Sequence, residues 1–163
     1  MYTARSVSCM LKVKQKNKGW FSRLEKRYVG ANRVVACGFP EGTEAATVRY
    51  PDGPRVVDVA LANNYGQGVP KRDFMNRAGP EIQKKTSGIL RSAVRGLNEK
   101  GIDSYETKLK VAGNVGAGEI AQSIVKLRDP PNSEETIKRK KSDNPLIDTS
   151  LMMQSVTHIV RKT

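Results

Sequence analysis

The chain of 163 residues predicts an α+β domain, and three observations carry that prediction. Residues 33–38 read as a strand with turn chemistry behind them, and apolar residues between Phe74 and Leu127 recur at helical spacing. Residues 153–160 show the partial alternation of a closing strand. The expected architecture is a small, mainly antiparallel sheet, a hairpin plus a C-terminal strand, packed with several helices. This length buries one core without disulfides or metal and falls short of two. Residues 1–18 form a basic, extended N-terminal arm, and 19–163 a single domain.

The arm carries Arg5, Lys12, Lys14, Lys16 and Lys18; Arg23, Lys26 and Arg27 follow, against Glu25 alone before residue 30. Residues 12–18 lack apolar periodicity beyond Val13, as a solvated segment does. Trp20, Phe21, Leu24 and Tyr28 fall on one face of a short helix that Gly30 ends, and that face docks on the core. The strand at 33–38 runs into the turn residues Pro40-Glu41-Gly42, and 46–50 return as the second strand of a hairpin before Pro51-Asp52-Gly53-Pro54. A short helix starts near Val56 and is ended by Asn63, Asn64 and Gly66. Over 74–97, Ile82, Ile89, Leu90, Val94 and Leu97 keep helical spacing, with Lys84, Lys85, Arg91, Arg95 and Lys100 elsewhere on the wheel. Gly79-Pro80 divides that stretch into a short and a long helix. Another helix covers 115–127, with Ile120, Ile124 and Leu127 on one face, until Asp129-Pro130-Pro131 stops it. Asn132 or Ser133 then caps a short basic helix through Lys141.

Charge narrows the function classes. With 29 basic against 16 acidic residues the net charge is +13, so the surface attracts polyanions or acidic proteins over a Debye length of roughly 8 Å. Lys138-Arg139-Lys140-Lys141 is a second, weaker basic cluster, partly cancelled by Glu134, Glu135 and Asp143. Cys9 and Cys37 match no zinc or redox spacing, and Cys37 reads as a buried thiol within an apolar run. Met1 to Met10 lacks the apolar stretch of a secretory signal, and no run approaches the roughly 18 residues of a membrane span. A soluble protein made in the cytoplasm, with no membrane partner, is expected.

No catalytic constellation emerges. His158, the single histidine, has no nucleophile or carboxylate at a recognisable spacing and reads as structural. Gly113, Gly116 and Gly118 suggest a phosphate cradle, yet the preceding strand and the Lys-Ser or Lys-Thr pair of a P-loop are missing. They read as a flexible loop or a helix start. Asp52, Asp58, Asp73, Asp103 and Asp148 stand isolated, so no metal and no cofactor are expected and a hydrolase is disfavoured. Trp20 and Tyr28 interleave with the basic arm as stacking residues would, but their spacing suits a packed stripe. Phosphate contact without base reading is the compatible mode.

Three segments in order carry a resemblance. Val57 to Gly66, VDVALANNYG, followed by Val69-Pro70-Lys71-Arg72-Asp73-Phe74, resembles the "alanine-x-x-asparagine-glutamate-phenylalanine-glycine … isoleucine-proline-x-arginine-proline-phenylalanine" signature of phage tail-completion proteins. Asn63, Tyr65, Gly66, Pro70, Arg72 and Phe74 carry the likeness. Glu135-Thr136-Ile137-Lys138-Arg139-Lys140 resembles that family's "threonine-isoleucine-x-x-lysine" helix. Pro145-Leu146-Ile147-Asp148-Thr149, with Gln154-Ser155-Val156, is similar to its "proline-leucine-isoleucine-aspartate-threonine-glycine … serine-isoleucine" close. Asn64, Asp73 and Ser150 depart from it, standing where the family has glutamate, proline and glycine. If that glycine needs a positive φ, serine there is strained or the turn differs.

Physically, Pro70 fixes φ and restricts Gly68-Val69, delivering Phe74 to the core while Arg72 points to a carboxylate or a neighbouring subunit. Asp148 and Thr149 cap the short helix after Leu146-Ile147 and set the direction of the last strand. The resemblance to the phage tail-completion and virion-morphogenesis group implies a non-enzymatic, ring-forming structural protein of the virion neck or head-proximal tail end, assembled in the host cytoplasm. A homo-hexamer is expected, with a dodecamer as the alternative. The implied partners are further copies of the chain, a tail tube or sheath protein, and head-side connector proteins. Non-specific contact with genomic DNA falls to Lys12, Lys14, Lys16, Lys18, Arg23 and the 138–141 cluster. The competing class is a cytoplasmic basic nucleic-acid-binding protein whose active element is 12–27.

Overall fold

A computed structural model describes residues 28–29, 31–51, 53–140 and 142–162. The N-terminal arm, the Trp20-Phe21-Leu24 stripe, Asp52 and Lys141 lie outside the described residues. Described elements run β1 (Arg33–Gly38), a 3-10 turn (Glu44–Ala46), α1 (Val56–Tyr65), α2 (Phe74–Lys100), α3 (Ile102–Lys126), α4 (Glu134–Lys140), α5 (Leu151–Gln154) and β2 (Thr157–Lys162). They form an α+β fold with a two-stranded antiparallel sheet.

Two helices of 27 and 25 residues make the frame, each about 40 Å long at 1.5 Å per residue. Gly101 alone separates them, at φ 88° and ψ −169°, so they fold back as an antiparallel pair. Their shared face is closed at the α1 end by the core of Val56, Ala60, Phe74, Ala78, Ile120, Ile124, Leu127, Leu146 and Met152.

The sheet lies on α3. Its register pairs Arg33 with Lys162, Cys37 with His158 and Gly38 with Thr157. Side chains alternate along a strand, so Arg33 and Cys37 share a face with His158. That face meets the helix. A Cβ on Gly113 would fall within the His158 ring, and one on Gly116 would come to 2.7 Å from Cys37 Sγ. Cys37 Sγ donates to Gly113 O at 3.5 Å, while Arg33 Nε donates to Glu106 Oε1 at 2.8 Å further along α3. The glycines expected in a loop thus occupy the middle of a helix, where they admit the sheet.

Several expectations need correction. Residues 46–50 are not a returning strand: Val56 N donates to Val48 O at 2.9 Å, one bridge joins Arg49 to Arg55, and Val48 and Tyr50 pack on the core. Strand β1 takes β2 instead. The Gly79-Pro80 pair does not break α2, which is continuous through Pro80. Both residues are exposed, so water can reach the carbonyl that proline leaves unpaired. Burial of Phe74 and Ala78, with Ile82 packed at the next turn, offsets a penalty of about 3 kcal/mol. Helix α3 begins at Ile102 rather than 115, because its buried stripe of Leu109, Ala112, Gly113, Gly116 and Ala117 is mostly small. Cys37 is partly rather than fully buried, and burial raises its thiol pKa.

The helix ends follow local chemistry. Gly66 is left-handed at φ 78° and its N–H donates to Ala62 O, as the Asn63-Asn64-Gly66 signal requires. Ser133 Oγ accepts from Thr136 N at 3.3 Å and caps α4. Asp148 and Thr149 do not cap α5. Its N-cap is Ser150, which makes no side-chain cap bond and sits at φ 61° and ψ 2°. Among the described residues Ser150 is the non-glycine residue with positive φ. The departure from glycine therefore falls at a left-handed position.

Ser150→Gly is expected to raise the free energy of unfolding by about 0.5–1 kcal/mol, because relief of left-handed strain exceeds glycine's added entropy in the unfolded chain. Gly113→Ala is expected to lower it by about 1–3 kcal/mol through overpacking, and to lose most of that effect when His158 is also alanine. Urea unfolding of the four single and double variants measures both.

Candidate docking surfaces

Arg72 ties the Asn63–Phe74 segment to the chain that leaves α3. Its residue is 5% exposed. Nε donates to Pro130 O at 3.0 Å, one terminal nitrogen to Asn63 Oδ1 at 2.9 Å, and the other to Pro131 O at 3.1 Å and Asn132 Oδ1 at 3.2 Å. The Arg72 N–H closes the loop onto Asn63 O at 2.7 Å. The expected carboxylate partner is replaced by carbonyl oxygens of the same chain. A planar fork of five donors suits that array, and the lack of a counter-charge lets burial lower the Arg72 pKa.

Phe74 is fully buried two residues later, while Pro70 is exposed in the approach to it. Asn64, where the family has glutamate, is 2% exposed and accepts the Met75 N–H at 3.2 Å. A neutral amide there avoids burying a carboxylate. Asn63 and Asp148 line one shallow cleft with Thr136, Arg139 and Lys140, so segments far apart in sequence share a wall.

The second basic cluster is less available than its sequence suggests. Lys138 and Arg139 are exposed, but Lys140 Nζ donates to Asn144 O at 3.2 Å and Pro145 O at 3.3 Å. Burial lowers the Lys140 pKa, Asp148 opposes that shift, and Arg72 and Arg139 reinforce it. Lys140 therefore secures the 144–145 turn instead of facing a partner. Lys12, Lys14, Lys16, Lys18, Arg23 and Lys141 lie outside the described residues.

Helix α2 carries cations that the sequence places off the apolar face and to which it assigns no contact. Arg77 is held by Asp73 at 3.1 Å and Lys85 by Glu119 at 2.6 Å. Lys84, Arg91 and Arg95 are exposed and make no ion pair with the described residues. Their spacing of seven and four residues was the available signal.

Among the exposed large apolar residues, two pairs share a helix face. Leu61 and Tyr65 stand one turn apart on α1, with Tyr65 60% exposed, and Leu90 and Val94 stand one turn apart on α2, with Val94 50% exposed. The Asn64–Met75 bond puts the end of α1 against the start of α2. From Phe74 to Leu90 the helix then rises about 24 Å, so the two patches are separate.

No group of three histidine, cysteine or acidic residues arranged to hold a metal occurs among the described residues. No described helix is long and apolar enough to cross a membrane. No protein-family model matches the chain, and neither a curated protein nor a solved structure does.

Arg72→Met is expected to destabilise the fold by about 2–4 kcal/mol by orphaning buried oxygens. Arg72→Lys should recover less than half of the loss, since an ammonium cannot span the same acceptors. Chemical unfolding midpoints read both.

Proposed function

We propose that this chain is a non-enzymatic structural subunit of a tailed bacteriophage, forming a ring at the head–tail junction. The ring connects the tail tube to the head-side connector, stops tube growth and leaves an axial path for DNA. Its place is the virion neck or the head-proximal end of the tail.

One observation supports assembly most directly: the separation of the Leu61–Tyr65 and Leu90–Val94 patches. A closed ring of identical subunits needs two different surfaces that fit each other, because each subunit meets its neighbours head to tail. Apolar pairs on two separate helices would give such a subunit one patch for each neighbour. The resemblance of the Asn63–Phe74, 135–140 and 145–149 segments to tail-completion proteins supplies the biological setting. Asn63, Thr136, Lys140 and Asp148, drawn from all three segments, line a single cleft, so the segments lie together in the fold.

A second reading, a cytoplasmic nucleic-acid-binding protein, is favoured by the net charge of +13 and by the unpaired cations of α2. The two readings part on oligomeric state without nucleic acid.

Native mass spectrometry of the purified protein, free of nucleic acid, is expected to show a hexamer, with a dodecamer as the alternative. Tyr65→Asp and Val94→Asp should each give monomers with unchanged circular dichroism. Mixed together they should form dimers and no larger species, because one intact junction remains between unlike variants. A monomeric wild type would refute the ring.

A further inference from the structure

We propose that the exposed face of α2 defined by Lys84, Arg91 and Arg95 binds the phosphate backbone of double-stranded DNA without reading its sequence. This deepens the junction reading, on which it rests for the source of the DNA.

On a helix, residues seven and four apart return to within about 40° of one another. Lys84, Arg91 and Arg95 therefore form one stripe, about 17 Å long at 1.5 Å per residue. All three are exposed, and none is held by a carboxylate among the described residues. The same helix commits Arg77 and Lys85 to Asp73 and Glu119, and its terminal Lys100 lies about 160° round the helix from Lys84, so these three are the aligned free cations. Three cations aligned on a rigid rod suit a regular polyanion.

Gly88 supplies a second observation. It is exposed in the interior of α2, between Lys84 and Arg91, and a Cβ there would meet nothing within 4 Å. Packing does not account for it, although glycine at such a position costs about 1 kcal/mol relative to alanine. Its effect is a flat spot in the centre of the basic stripe, where a sugar-phosphate chain can approach the helix backbone closely.

The stripe also selects among nucleic acids. From Arg77 to Arg95 there is no aromatic side chain, whereas single-strand binders add stacking to charge. A smooth basic face recognises a duplex through its phosphates. The guanidinium groups of Arg91 and Arg95 can each engage two phosphate oxygens, with Lys84 acting as a point charge.

The test is binding of the full chain to a random-sequence DNA duplex, followed by fluorescence anisotropy between 50 and 200 mM salt, chosen as in general practice for counterion release. Three phosphate contacts contribute about 2.7 to the slope of log K against log salt. The Lys84→Gln/Arg91→Gln/Arg95→Gln variant should lose that amount, so wild-type affinity falls about 40-fold more than the variant's over this salt range. Arg95→Gln alone should lose about 0.9. Arg49→Gln, also a removal of one exposed charge, should keep the wild-type slope. A triple variant with the wild-type slope overturns the proposal, as does a wild type that binds no duplex or prefers single strands.

Native mass spectrometry of the same samples separates this inference from the ring. A triple variant that keeps its oligomeric state while losing slope supports the inference. One that dissociates into monomers puts the stripe in a subunit contact and overturns it. Should the wild type be monomeric and still show the slope difference, the ring fails and the DNA-binding face stands.

Discussion

The close approach of a two-stranded sheet to α3 is the constraint on which this structure depends. A two-stranded ribbon is marginal by itself in water, so β1 and β2 need a backing surface. Gly113 and Gly116 provide it by removing side chains where His158 and Cys37 come down. With larger residues the sheet would stand off the helix, and the Arg33–Glu106 and Cys37–Gly113 contacts would be lost with it. The charged pair at one end and the sulfur contact at the other fix the sheet's direction across α3.

At the other end of the long helices, Arg72 performs a comparable task with polar groups. It gathers Asn63, the 130–131 carbonyls and Asn132, tying the end of α1 to the segment that leaves α3. The arrangement uses dipoles rather than an ion pair, so the corner does not depend on a carboxylate staying charged. Next to it, Phe74 and Asn64 seat the first turn of α2. A rigid corner here holds Leu61 and Tyr65 at a set distance from Leu90 and Val94, as a head-to-tail assembly would require.

Much of this was legible in the residues, and the failures share a cause. The α+β class, β1, the Gly66 helix end and the Ser133 cap rest on local chemistry that reads directly. The hairpin expected at 46–50 failed because Val48 and Tyr50 are apolar for the core rather than for a ladder. Half of α3 was missed because periodicity was sought in large residues, while this helix buries Ala112, Gly113, Gly116 and Ala117. The stop at Pro80 was overruled by burial on both sides of it. At the surface, cation runs in sequence drew attention to 138–141, where Lys140 is engaged. The aligned cations of α2 are spread over helical turns, so they make no run in sequence although their spacing of seven and four residues aligns them.

The pairing of Arg33 with Lys162 sets an order of events. Helices α2 and α3, adjoining through one residue, make the contacts nearest Gly101, such as Lys108 with Ser92, over short stretches of chain, and such contacts form early. The sheet must instead bring together strands from near the two ends of the described chain, a large loop closure rewarded only afterwards. During synthesis the helical pair can form while β2 is still unmade, leaving β1 and the glycine seam of α3 uncovered. Final closure of the sheet then serves as a clasp that commits the fold to its mature shape once β2 has been made.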